Sequence, residues 1–221
     1  MFSIVKPLLR PIYRPLNRAY REFQFSRQRW ALRQQAETHK RSGQLVRVGL
    51  GVAHKPLEGW LNTDKNVLDM TLSAHWQTIF QPRMVDRVLA EHVVEHLTIE
   101  QFRAFLNVVR PFLAADGFVR VAVPDGFHPD PAYIEAVRVG GTGKSADDHK
   151  VLYTYQLMTD VLSQADYEYR LLEYFDADGT FHKQDWLIED GKVRRSAEFD
   201  RRNKEIPLSY TSLIVDFWPR S

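Results

Sequence analysis

The 221-residue sequence contains no cysteine, which removes disulfides, thiolate metal sites and cysteine nucleophiles together. No apolar run approaches the roughly 20 residues that a membrane span needs. The opening stretch, Met1 to Arg10, is too short and too broken by Lys6, Pro7 and Arg10 to read as a signal peptide. Internal repeats and low-complexity tracts are absent as well. Glycine is sparse, and no third glycine follows Gly49-Leu50-Gly51 to complete a dinucleotide fingerprint, which speaks against a nicotinamide or flavin cofactor. What is present is 44% hydrophobic and 26% charged residues, the ordinary balance of a folded globular chain. The expectation is a soluble, cytoplasmic protein.

The formal net charge of +2 conceals a split. Residues 1–41 carry ten Lys/Arg against Glu22 and Glu37, a net of +8, while the other 180 residues carry twenty against twenty-six, a net of −6. An anionic partner would therefore meet the first segment and not the body. Prolines 7, 11 and 15 speak against a continuous helix over the first fifteen residues. From Leu16 the spacing of Leu16, Tyr20, Phe23 and Trp30, with arginines around them, predicts a basic amphipathic helix over about residues 16–38. Two readings stand: its aromatics pack on the body, or they attach the chain to an anionic membrane surface or a protein partner, such as the inner membrane. No nucleic-acid partner is expected, since nothing downstream reads as a nucleic-acid module. The expected division is residues 1–42 as the basic extension and 43–221 as the body.

In the body, short β-rich runs alternate with helical spacing. Strands are predicted at 45–48, 59–64, 66–69, 84–90 and 118–123, with late strands at 169–175 and 210–217 joined by a charged excursion over about 176–206. A helix is predicted from Thr98, where Thr98 and Gln101 form a capping box, to Pro111, and another around Leu152–Ala165. Residues 127–149 read as a polar loop. This alternation implies a parallel sheet covered by helices, with an antiparallel pair at one edge.

In such sheets ligands bind beyond the carboxyl ends of the strands, where strand order reverses. Gly49 and Gly51 sit after the first strand, where missing Cβ atoms let backbone N–H groups approach a ligand. Asp64 and Asp69 are expected at the next two strand ends, where a carboxylate suits a ribose diol and an adenine amino group respectively. The fourth strand runs into Glu91-His92-Val93-Val94-Glu95-His96-Leu97, which holds the H-x-x-E-H spacing of zinc hydrolases with His92, Glu95 and His96. Zinc would need a third protein ligand and a formed helix, so the alternative is that Glu91 and His92 face the cleft while Glu95 and His96 tie backbone together. His128, Asp130, Asp148 and His149 offer a second metal arrangement of His and Asp ligands, and no metal is expected to be required. Acceptor-side candidates are Asp125, His128, Asp130, Tyr133, Asp147, Asp148 and His149. His128 or His149 is the expected base, and Asp125, Tyr133 and Asp148 are expected to bind substrate.

Val46 to Gly51, Gly59-Trp60-Leu61-Asn62-Thr63-Asp64, Glu91 to Leu97, and Val109-Arg110-Pro111 through Gly117 to Asp125 together resemble the class I S-adenosylmethionine-dependent methyltransferases. The similarity is nearest to a small branch with G-W-x-N-x-D and H-V-x-E-H-L signatures, and it covers about residues 45–217. The resemblance implies an α/β, Rossmann-like, seven-stranded, mostly parallel sheet with a reversed last hairpin. It implies that Gly49 and Gly51 pass the methionine moiety of S-adenosylmethionine, that Asp64 holds the ribose with Asp69 near the adenine, and that Glu91 and His92 line the cofactor near the sulfonium. Leu50 stands where a small residue is usual and would crowd the cofactor, and residues 112–117 are a looser form of the usual Pro-Gly-Gly turn. The expected activity is methyl transfer to a small-molecule or glycan-like acceptor. The alternatives are a degenerate methyltransferase-like scaffold recruited by its basic arm, and a zinc hydrolase.

Overall fold

The computed structural model describes residues 10–52 and 55–220. Seven strands form one sheet: β1 (Arg47–Leu50), β2 (Leu61–Asn62), β3 (Val85–Glu91), β4 (Leu113–Pro124), β5 (Tyr167–Phe175), β6 (Phe181–Lys183) and β7 (Ser212–Pro219). Their order is β2-β1-β3-β4-β7-β5-β6. β1 pairs in parallel with β2 and β3, and β3 with β4. β7 enters antiparallel between β4 and β5, and β6 pairs antiparallel with β5 on the outer edge. The fold is α/β and Rossmann-like, with a reversed strand near the C-terminus.

The strand list differs from expectation in two places. No strand forms over residues 66–69, because the Asp64 side chain accepts from the N–H groups of Asn66 and Val67 while its carbonyl accepts from Val67 and Leu68. Those bonds wind the segment into a turn, so Asp69 does not end a strand. The short β6 instead makes the seventh strand. In β4, residues 114–117 bulge out of register with β3, and a Cβ on Gly117 would lie 2.6 Å from the Val85 carbonyl oxygen. Glycine is what lets those two backbones meet.

Five helices are described: α1 (Arg10–Arg41), α2 (Ser73–Ile79), α3 (Ile99–Val109), α4 (Pro131–Val137) and α5 (Tyr155–Gln164). The Thr98–Gln101 capping box opens α3, and Phe102, Phe105, Leu106 and Val109 form its buried stripe. α4 lies inside the stretch read as loop, opened by Asp130, whose side chain accepts from the Ala132 N–H. The main core joins these helices to strand residues such as Val48, Val88, Val119 and Val215. The opposite side of the sheet is covered by the excursion before β7, through a smaller cluster of Trp60, Leu89, Ala122, Leu172, Val193 and Ile214. Arg120 fastens that cover. Wholly buried, it makes a two-pronged contact with Asp216 at 2.7 and 2.8 Å and donates to the carbonyls of Leu187 and Gly191.

α1 departs from expectation in its extent and in the face it buries. It is described from Arg10 and includes Pro11 and Pro15. Pro15 forfeits one helical bond, the one its N–H would give to the Pro11 carbonyl. Its aromatic residues do not pack on the body: Tyr20, Phe23 and Trp30 are 60%, 60% and 64% exposed. The packing line is Phe25, Arg29, Leu32 and Ala36, four positions on one side of the helix. Ala36 gives close approach, and the buried Arg29 guanidinium donates to the carbonyls of Val67 and Asn66 at 2.7 and 2.9 Å. Among the described residues no helix is long and apolar enough to cross a membrane.

Candidate active site

Strand order reverses between β1 and β3, so the crevice beyond their carboxyl ends is the expected ligand position. Gly51, at φ +69°, turns the chain out of β1, and a Cβ there would lie 2.7 Å from Val93 Cγ2. The loop after β1 and the loop after β3 are therefore in direct contact. Gly49 is equally constrained, with Val52 Cγ2 2.6 Å from a Cβ placed on it. Leu50, between them, points the other way and is buried in the main core. Strand alternation thus removes the expected crowding: the large side chain and the two glycines face opposite sides.

Asp64 follows β2 closely, one residue after Thr63, whose N–H and hydroxyl both donate to the Gly49 carbonyl. This ties the carboxylate to the glycine turn. One oxygen, Oδ1, is engaged by the local turn, which leaves Oδ2 for a diol. Asp69 lies further along, its Oδ1 accepting from the Thr71 N–H and hydroxyl, in the network beneath α1. Glu91 ends β3, and its Oε1 accepts from the Arg195 N–H at 2.8 Å.

His92 carries the most constrained geometry in the crevice. Its φ of +54° is unusual for a residue with a Cβ and costs about 1–2 kcal/mol. Its Nε2 lies 3.0 Å from Ser212 Oγ, and Ser212 donates its hydroxyl hydrogen to the Arg195 carbonyl. Ser212 must then accept from His92, so Nε2 carries a proton. The other nitrogen, Nδ1, lies 3.1 Å from Glu95 Oε1. The contact is off the line of a formed hydrogen bond, and neither Glu95 oxygen accepts one. Burial pushes the Glu95 carboxyl up, but the charge and hydrogen-bonding capacity of His92 outweigh it and hold the group below the usual carboxylate range. The H-x-x-E-H segment is not the helix that zinc hydrolases need: Val94–His96 is a single 3-10 turn, and His92 faces Ser212.

The acceptor-side candidates divide. Asp125 is fully buried and accepts from the N–H groups of Phe127 and Phe175. Burial pushes its carboxyl up to about 6 against those two bonds. The Tyr133 hydroxyl accepts from the Asp125 N–H and donates to the Thr211 carbonyl, with its ring stacked on His128 at 3.9 Å. His128 donates Nε2–H to the Leu208 carbonyl and accepts from the Asp130 N–H at Nδ1, and burial lowers its pKa. All three are held by bonds to backbone, which fixes their orientation. Asp130 is a helix cap, and Asp147 is exposed. His149 is different: it donates Nδ1–H to the Val137 carbonyl at 2.7 Å, which leaves Nε2 as a lone pair. Its ring stands edge-on to His96, and Asp148 is exposed beside Lys150. Ser212, and Arg195 through its backbone, belong to the crevice without any local signal in the sequence. An open groove of about 380 Å³ lies elsewhere, between α1, α2 and Pro111, and touches none of these residues.

No family model and no curated protein matches the sequence. Solved structures do align with it. A SAM dependent methyltransferase from Archaeoglobus fulgidus is 13% identical, over 82% of this chain and 90% of that one, with a TM-score of 0.42. One from Mesorhizobium loti is also 13% identical, over 78% and 90%, with a TM-score of 0.43. The CurJ carbon methyltransferase is 12% identical over 80% of this chain and 49% of its own, at 0.44. Identities this low transfer no residue roles, so each role rests on the geometry above.

Proposed function

We propose that the chain is an S-adenosylmethionine-dependent methyltransferase acting on a small-molecule or glycan-like acceptor. The observation that carries the reading is the meeting of the β1 glycine turn, Asp64 and the Glu91–His92 strand end at the point where strand order reverses. The fit is chemical as well. Gly51 turns the chain out of β1 at a positive φ, Asp64 keeps an oxygen for the ribose, and the acidic body suits a cationic sulfonium. Asp69 is the adenine-side candidate.

The cofactor supplies an activated methyl group on sulfur, and this chain's own residues align and desolvate it. Glu91, fixed by the Arg195 N–H, gives the crevice negative charge. His92, held by Ser212, presents a fixed ring with its Nε2 proton placed. Val193 and its neighbours in the excursion close the sheet face behind them. Of the acceptor-side candidates, His149 and Asp148 keep groups that can face a ligand. Irradiating the full chain with methyl-labelled S-adenosylmethionine tests the placement: label should map to peptides containing residues 49–64 or 91–96. Label confined to other peptides overturns it.

A second reading concerns where the enzyme works, and one observation favours it. α1 turns Tyr20, Phe23 and Trp30, with Arg27 among them, away from its packing line. Exposed aromatics on a segment of net charge +8 match an anionic lipid surface, where each basic residue near the membrane adds about 1 kcal/mol. The full chain should co-sediment with vesicles containing phosphatidylserine and not with neutral ones, and Trp30→Ala with Phe23→Ala should weaken this. Equal recovery with both vesicle types rejects the reading.

A further inference from the structure

The 3-10 turn after β3 and the loop after α4 bring three potential metal ligands together. One donor atom from each of Glu95, His96 and His149 lies within 4.8 Å of the other two, and among the described residues this is the one such group. The scaffold holding them is fixed by backbone: the Glu95 carbonyl accepts from the N–H groups of both Lys150 and Val151, which pins His149 beside the turn.

Glu95 is 1% exposed, yet neither of its carboxylate oxygens accepts a hydrogen bond, and the buried Nδ1 of His96 has no hydrogen-bond partner either, with Asp148 Oδ2 facing it at 3.5 Å. A buried carboxylate in that state is costly unless a cation faces it. His92 meets one oxygen at 3.1 Å, and the second has no partner. His149 is oriented as metal-binding histidines are, with Nδ1–H given to a backbone carbonyl and Nε2 left bare. The two imidazole rings stand 4.9 Å apart at 75°. Two imidazoles on one tetrahedral ion, at metal–nitrogen distances of about 2.0–2.1 Å, have centroids about 5 Å apart.

We propose that Glu95, His96 and His149 bind a divalent transition-metal ion of the zinc class. Two imidazoles and a carboxylate are the donor set that zinc accepts, and three protein ligands leave a fourth position for water or an oxygen ligand. His96 is partly open to solvent, which gives that position an approach. The set differs from the H-x-x-E-H arrangement, since His92 is outside it, and from the His128–Asp130–Asp148–His149 arrangement, since His128 is outside it too. It departs from the expectation that no metal is required. It also changes the part open to His149: a nitrogen on a metal cannot take an acceptor's proton, whereas the metal can lower the pKa of a bound hydroxyl. The inference does not rest on methyl transfer and is tested without it.

The test uses the full chain, stripped with a chelator and dialysed, titrated with zinc(II) against a chromophoric indicator. One equivalent should bind, and Glu95→Gln and His149→Ala should each weaken it at least about tenfold, while His182→Ala on the surface leaves it unchanged. Because the variants can misfold, cobalt(II) is added to the stripped wild type in parallel, and visible bands of a four- or five-coordinate site are expected. Failure to retain one equivalent, affinity indifferent to Glu95 and His149 in folded variants, or a purely six-coordinate cobalt spectrum overturns the proposal.

Discussion

Replacing Arg120 by methionine probes the strap that covers the second face of the sheet. In the native protein this guanidinium is fully buried, bound to both oxygens of Asp216, stacked 4.8 Å from the Trp186 ring, and bonded to the carbonyls of Leu187 and Gly191. Methionine keeps most of the volume and removes every donor. Breaking a buried pair from one side costs about 3–5 kcal/mol, because the remaining charge stays buried without its partner. Arg170, half-exposed and 3.1 Å from Asp216, still offers partial compensation. The expected loss is therefore about 3 kcal/mol. Urea unfolding at neutral pH measures it, and hydrogen exchange should show faster exchange across residues 185–196. A double variant, Arg120→Met with Asp216→Leu, should recover much of the stability, since well-packed apolar replacements of buried pairs are often neutral. A loss below about 1 kcal/mol, or unchanged exchange in the strap, would refute the reasoning.

Further outcomes follow from other buried polar groups. Asp125 has a folded-state pKa of about 6 against an ordinary value of 3.8. Its contribution to stability is full below about pH 4 and is lost as pH rises through 6, by about 3 kcal/mol at 1.36 kcal/mol per unit. The stability of the wild type relative to Asp125→Asn should fall over that window, and a pH-independent difference would contradict the assignment. Arg29→Ala should lower stability by about 2–4 kcal/mol through two lost charge-assisted bonds, with a matching loss of protection at residues 66–69; a fully protected turn would show that α1 docks by other contacts.

Local chemistry was the legible part of the sequence. The Thr98–Gln101 box and the valine-rich strands are decided by neighbours a few residues apart and form close to where spacing placed them, although β1 runs two residues further and takes Gly49 into the sheet, which leaves Gly51 as the turn. The orientation of α1 was not legible in this way. Hydrophobic periodicity nominates the aromatic face for burial, whereas the buried face is set by an arginine reaching carbonyls 37 and 38 residues away. The same holds for the acceptor side. Asp125, Tyr133 and His128 have the residue types of a catalytic cluster, but their partners at Phe175, Thr211 and Leu208 come from distant chain and lock them into the fold. Ser212 and Arg195 join the crevice only because β7 inserts beside β4. Glu95 was marked by spacing, but its lack of hydrogen-bond partners emerges only once His92 turns through a positive φ.

The central claim is that the crevice between β1 and β3 holds S-adenosylmethionine with Asp64 on its ribose. Isothermal titration of the cofactor into the full chain and into Asp64→Ala tests it most directly. The account predicts one site in the wild type and affinity at least about tenfold weaker in the variant, the loss of about 1.4 kcal/mol or more that follows from removing a charged hydrogen-bond acceptor. No heat in the wild type at millimolar cofactor, or equal affinity in a folded Asp64→Ala, would contradict it.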